Sequence, residues 1–225
     1  MAEIHGVAGE WARVKGSVCG LWPVFLGVFV AGFSVAMMII APIYGLAMLV
    51  VAIVYLLWSL MAGLKRMESY FKGAKGEERV AEILKGLPDA YHVFNDFTVG
   101  RKHIDHVVVG PVGVFAIETK FWNGRVTLEE GAILLDGQLP DRSPLLQVNR
   151  EAMIVRNALA KLGWDGIVTP VLTFASNSFV AHRAELNGTV IMNANELHSS
   201  FNSDRIVVPP AELVRLVRIM ENYQR

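Results

Sequence analysis

Asp105, Glu118 and Lys120 interrupt two otherwise apolar stretches in the C-terminal two thirds of the chain. The first stretch is His103-Ile104-Asp105-His106-Val107-Val108-Val109 and the second is Val114-Phe115-Ala116-Ile117-Glu118-Thr119-Lys120. Between them lies Gly110-Pro111-Val112-Gly113, which is turn chemistry. If that turn is tight, Val109 faces Val114 and Asp105 faces Glu118. Opposed residues project to the same side of a sheet, and Lys120, two residues on, joins them there. Two opposed carboxylates repel, and burying them is costly without a partner. A divalent cation supplies the missing charge, and Mg²⁺ is commonly held by one or two carboxylates with substrate phosphate and water. The same spacing also suits a structural ion pair, Lys120 with Asp105 or Glu118, at a sheet edge. Another register, or a β-bulge, would separate Asp105 from Glu118. No Ser/His/Asp arrangement, paired CxxC or phosphate-cradling loop is visible in the sequence.

The elements needed to position this cluster are legible around it. A helix is expected to open at Gly73-Ala74-Lys75-Gly76-Glu77-Glu78 and to run to about residues 84–86, with Val80, Ile83, Leu84 and Leu87 on one face. Gly86 and Pro88 mark its stop. Strands are expected over 91–99, 103–109 and 114–120, with shorter ones near 126–128 and 133–135. A helix follows over 144–162, then a buried strand over 167–174, in which Pro170 suggests an edge or bulge. A strand over 189–192, a short helix over 195–201 and an amphipathic helix over 210–223 complete the pattern. The fold class is α/β, a mixed sheet between helices.

Several of these segments resemble one known family. Gly73-x-x-Gly76-Glu77, Ile104-Asp105-His106-Val107-Val108-Val109, Gly113 through Lys120 and Asn123-Gly124 are similar to the nuclease-related domain (NERD) family. Ser143-Pro144-Leu145-Leu146-Gln147 resembles its Asn-Pro-x-x-Gln segment, with serine in place of asparagine. The resemblance covers about residues 70–180. It implies a restriction-endonuclease-like fold with a D…(D/E)-x-K site. Carried over, Asp105, Glu118 and Lys120 are the catalytic residues, and Asp105 and Glu118 are ligands for Mg²⁺ or Mn²⁺. Glu77 matches the family's helical glutamate and is a further candidate ligand, although an acid in the first turn of a helix is favourable in any case. Gln147 is a candidate for positioning water or phosphate, or is simply a helix-terminal residue. In the implied chemistry the cation polarises a phosphodiester and activates water, and Lys120 orients that water or stabilises developing charge. His106 is expected to point away from Asp105, and His103 and His106 read as surface or core histidines before metal ligands. Trp122 suits either base stacking or packing at the sheet end.

The N-terminal part is of a different kind. From Gly16 to Leu64, 49 residues, there is no Asp, Glu, Lys or Arg. One membrane span needs about 20 apolar residues, so the run holds two, over about 17–40 and 43–63, with a turn at Ala41-Pro42-Ile43-Tyr44-Gly45. The run is far longer than the core of a signal peptide. Arg13 and Lys15 precede it and Lys65, Arg66, Lys72 and Lys75 follow it, so the positive-inside rule places both ends in the cytoplasm. Cys19, the only cysteine, lies in the first span and reads as a packing residue. Formal net charge is zero, and residues 65–225 hold nineteen cations and nineteen anions, so non-specific nucleic-acid binding by bulk charge alone is not expected.

The expected organisation is a cytoplasmic N-terminal segment (1–16), a transmembrane helical hairpin (17–64), a linker or helix extension (65–72), a nuclease-like domain (73–185) and a C-terminal extension packed on it (186–225). The expected function is a metal-dependent nuclease anchored in the inner or plasma membrane. It would hydrolyse phosphodiester bonds of DNA, with RNA the other candidate substrate, and contact the lipid bilayer through residues 17–64. The rival reading is a non-catalytic module of the same fold that recruits nucleic acid or a protein partner to the membrane. Spans without ionisable residues argue against an ion path.

Overall fold

The structure, a computed structural model, describes residues 1–201 and 207–224. Residues 202–206 and 225, within the expected extension 186–225, lie outside the described residues. The chain divides into two units, Glu10–Ala74 and a second made of Met1–Gly9 with Lys75–Arg225.

The first unit is helical. Helix α1 spans Glu10–Ile40 and α2 spans Pro42–Lys85, broken only at Ala41. Proline at the first position of α2 lacks an N–H that would be unsatisfied there anyway, so it starts a helix well. Both helices are long and apolar enough to cross a membrane. Their large apolar side chains lie mostly outside, with Phe29, Ile39, Ile40 and Ile43 among the most exposed. Between them the helices meet through small residues: a Cβ on Gly63 would lie 2.4 Å from the Gly20 carbonyl oxygen, an approach only glycine permits. The segment 65–72 is helical throughout, so the helix expected to open at Gly73 is the last part of α2.

The second unit is built on a sheet. Its strands are β1 (Glu3–His5), β2 (His92–Val99), β3 (Lys102–Gly110), β4 (Gly113–Lys120), β7 (Val168–Phe174), β8 (Arg183–Leu186) and β9 (Thr189–Asn193). Among the described residues the order is β1-β2-β3-β4-β7-β9-β8. The pairs β1–β2, β4–β7 and β7–β9 are parallel, and the others antiparallel. Strands β5 (Val126–Glu129) and β6 (Ala132–Leu135) form a separate hairpin. Helix α3 (Pro144–Ala160) and α5 (Pro210–Gln224) cover one face, where Val107, Val109, Val114 and Ala116 pack with Val155, Leu159, Leu216 and Met220. The end of α2 covers the other, where Val80 and Leu84 pack with Val93, Val108, Ile117 and Val171. The short helix α4 (Leu197–Ser200) joins that second layer. The mixed α/β sheet between helices is therefore as expected.

Three features differ from the sequence reading. Strand β1 was not foreseen; three residues give no periodicity to detect, and pairing with β2 creates it. Strand β8 is an edge strand with an alternation too short to stand out. Pro170 lies inside the sheet, between β4 and β9, rather than at its edge. It is tolerated because β7–β9 pairing begins one residue later, at Val171↔Val190, so no rung to β9 is lost.

Candidate active site

The hairpin β3–β4 has the expected register: Val109↔Val114, Val107↔Ala116 and His106↔Ile117 are partners, and pairing stops there. One residue further the strands splay. Asp105 does not sit as a ladder partner of Glu118; its Oδ2 accepts a hydrogen bond from the Thr119 backbone N–H at 2.8 Å. The cause lies partly in β2. Asp96 has φ 50°, a left-handed value unusual for a non-glycine residue. Side-chain alternation slips beside it, since Phe94 and Phe97 both enter the same core, as do Ile104 and Val107 on β3. The β2–β3 register is unchanged across this point, Asn95↔His106 on one side and Phe97↔Ile104 on the other, so the irregularity is confined to the orientation of the residues between them.

Four elements meet there. Glu77 arrives from α2, where Gly76 lets the helix close on the sheet: a Cβ at that position would lie 2.9 Å from the Phe121 Cβ. Asp105 comes from β3, Glu118 and Lys120 from β4, and Gln147 and Glu151 from α3. Ser143 caps α3, accepting from the Leu146 N–H at 3.4 Å, with Pro144 in its first turn.

Lys120 Nζ donates to Glu118 Oε1 at 2.5 Å and to Gln147 Oε1 at 2.9 Å. Gln147 Nε2 in turn donates to Glu151 Oε1 at 3.0 Å. Glu77, Asp105, Glu118 and Glu151 are all at least 92% buried, so four carboxyls share the space with one ammonium. The protonation equilibria follow from that imbalance. Burial, then the Asp96 charge, pushes Glu77 up to about 7, with Glu118 adding to the rise. Burial and then Glu118 push Glu151 up to about 9. Burial, Glu118 and Glu77 raise Asp105 well above the usual carboxylate range. Burial alone would lower Lys120, but Glu118, by charge and hydrogen bond, raises it, so its ammonium is firmly charged.

Burial first, and neighbouring carboxylates second, keep protons on these acids, a place that a bound cation could take. The donor set supports that directly. Glu77 Oε2 is buried with no hydrogen-bond partner among the described residues. Ligand atoms of Glu77, His103 and Asp105 lie within 4.8 Å of one another. His103 reads from the sequence as a surface or core histidine, yet its Nε2 stands 3.8 Å from Asp105 Oδ1 and 3.2 Å from Asp96 Oδ1. Its spacing of two from Asp105 was the available signal. Glu151 left no such trace, because only the approach of α3 brings it in; Gln147, one helical turn earlier, was the clue. Glu118, an expected ligand, is not in the compact group of three, its Oε1 being taken by Lys120. Two carboxylates and an imidazole fit Mn²⁺ at least as well as Mg²⁺, which favours oxygen ligands alone.

Two of the other residues weighed in the sequence are structural here. His106 is fully buried, its Nδ1 2.8 Å from Asn95 Oδ1, and burial lowers it to about 3, which keeps it neutral. Trp122 packs its ring 5.7 Å from that of Phe174, within a side cluster of the core.

Residues 72–175 match the family model described as "Nuclease-related domain". The chain is also similar to an uncharacterized protein of Bacillus anthracis, 34% identical over 83 residues, which are 34% of this chain and 39% of that protein. The match thus spans well under half the length of that relative. No solved structure matches the chain.

Proposed function

We propose that this chain, whose residues 72–175 form a nuclease-related domain, is a metal-dependent nuclease that cuts DNA while anchored in a membrane. The observation that carries the reading is the convergence of Glu77, Asp105, Glu118 and Lys120 at one end of the sheet, with a surplus of buried carboxyls. Asp105, Glu77 and Glu118 would hold the cation, with His103 as an added donor. When bound, Mg²⁺ or Mn²⁺ would neutralise phosphate charge and lower the pKa of a water for attack. Lys120 supplies the positive charge on the protein side. Its ammonium is fixed between Glu118 and Gln147, so it is preorganised to stabilise negative charge developing on the phosphate. Glu151 fixes Gln147 and, being protonated near neutral pH, is a proton reserve beside Glu118.

The apolar pair α1–α2 supports the anchoring, because long exposed apolar surfaces of this kind seek lipid. The chain enters α1 from β1 and leaves α2 towards β2, and those strands pair in one sheet. That connectivity suits a membrane hairpin, whose two ends would emerge on one side of the bilayer. The flanking cations favour the cytoplasmic side.

The test is cleavage of plasmid and single-stranded DNA, and of RNA, by the full chain in detergent. Mg²⁺, Mn²⁺ and chelator are compared for the wild type and Lys120→Ala. Metal-dependent cleavage lost in Lys120→Ala is expected. A folded, metal-binding protein that cuts none of these substrates would overturn the reading in favour of a recruiting module of the same fold.

A further inference from the structure

A second set of metal-ligating side chains lies at the β1 edge of the sheet. Glu3 and His5 stand two residues apart on β1, and His92 opens β2 as the register partner of Glu3. His5 Nε2 is 3.5 Å from His92 Nδ1, and Glu3 Oε2 is 3.3 Å from the same His92 nitrogen. Glu3 Oε1 lies 4.0 Å from His5 Nε2. Donors around a tetrahedral Zn²⁺, bound at roughly 2.0–2.1 Å, are spaced about 3.4 Å apart. The three side chains are thus already near ligand spacing.

The surroundings are those of a built site. The other nitrogen of His5, Nδ1, faces Glu221 Oε1 on α5 at 3.9 Å, ion-pair distance and a short shift from the hydrogen bond by which a carboxylate orients a ligating histidine. The His5 ring is stacked on Phe94, with centroids 4.4 Å apart and planes 10° apart, so its direction is fixed by packing. His5 and His92 are mostly buried while Glu3 is largely exposed, which leaves an entry from solvent. The site is separate from the acidic cluster, since His92 pairs with Val109, four residues along β3 from Asp105.

We propose that Glu3, His5 and His92 bind a borderline divalent cation of the Zn²⁺ class, with Glu221 positioning His5, and that this cation clips β1 to the sheet. Strand β1 has only three paired residues, yet it is where the chain leaves the domain for α1. A cation bridging β1 and β2 makes that exit resistant to peeling. The inference does not depend on nuclease activity.

The experiment uses the full chain in detergent with Co²⁺ as a spectroscopic probe and Zn²⁺ as competitor. One equivalent of Co²⁺ should give the strong visible bands of a four-coordinate site, displaced by Zn²⁺. The bands should persist in Asp105→Asn and vanish in His92→Gln and in His5→Phe, which keeps the stack on Phe94. Glu221→Gln should weaken Zn²⁺ binding roughly 10–100-fold. Hydrogen exchange at residues 3–5 should slow on adding Zn²⁺ to the wild type and to Asp105→Asn. Bands that survive in His92→Gln but disappear in Asp105→Asn, or no Zn²⁺-dependent protection of residues 3–5 in the wild-type chain, would overturn the proposal.

Discussion

Lys120 touches both the carboxylate beside it and the amide of a helix 27 residues further on, and that double contact decides what it can do. A lysine serving only as a surface ion pair would need one partner. Here Gln147 holds the ammonium from the far side and is itself held by Glu151. Replacement by alanine is expected to reduce cleavage by about 10²–10³-fold, with cation binding retained, as checked by calorimetry beside the activity assay. The crowded acids give a second expectation. Glu77 and Glu151 titrate near 7 and 9 in the folded protein, against an ordinary 4.5. Between these limits the folded state carries more protons than the unfolded chain, so stability falls as pH rises. Melting of the metal-free protein should drop from about pH 6 to about pH 9, and Glu151→Gln should flatten the upper part of that slope. Mn²⁺ should raise the melting temperature more at about pH 8 than at about pH 6, because the cation takes the place of protons.

At the scale of elements, the site depends on how closely α2 approaches the sheet. Gly76 sits against Phe121 and Ala175 with no room for a side chain. Gly76→Val should cost about 1–3 kcal/mol by overpacking. It should also weaken metal binding through the displacement of Glu77, which a metal titration beside a denaturant curve would separate from simple destabilisation. The N-terminal strand gives another test. A fragment of residues 65–225 lacks β1 and exposes the outer edge of β2, an unpaired edge prone to association. Size-exclusion chromatography should show that fragment self-associating, whereas a chain keeping residues 1–9 does not. The domain is thus discontinuous in sequence, with the apolar pair inserted between its first two strands.

For the whole molecule, that insertion bears on the proposed membrane anchor. Because β1 and β2 share a sheet, an odd number of crossings between them is impossible once the domain is folded. In the proposed anchor, two crossings by α1 and α2 would satisfy this and a single crossing would not. Tags at either terminus should therefore show the same protease accessibility in sealed vesicles, exposed on the side that carries Lys65, Arg66 and Lys72. Opposite accessibility of the two tags would exclude the hairpin.

The sequence by itself determined the local elements and singled out three of the clustered charges. The hairpin turn at 110–113, the register of β3 and β4 through His106↔Ile117, the bounds of α3 and the apolar pair are all set by periodicity, turn residues and run length, which act over short distances. Asp105, Glu118 and Lys120 could be singled out because charges within apolar strands need a reason. What only the tertiary structure decided came from contacts distant in sequence. Strand β1 exists through its pairing with β2, nearly ninety residues away. Glu151 joined the cluster when α3 packed on the sheet, and His103 joined it beside the left-handed Asp96. Pro170 found an interior place because β9 pairs only from the next residue. The convergence of Glu3, His5, His92 and Glu221 likewise required the two ends of the chain to meet at one sheet edge. No local propensity encodes such meetings; they follow from which surfaces can be buried together once the elements exist.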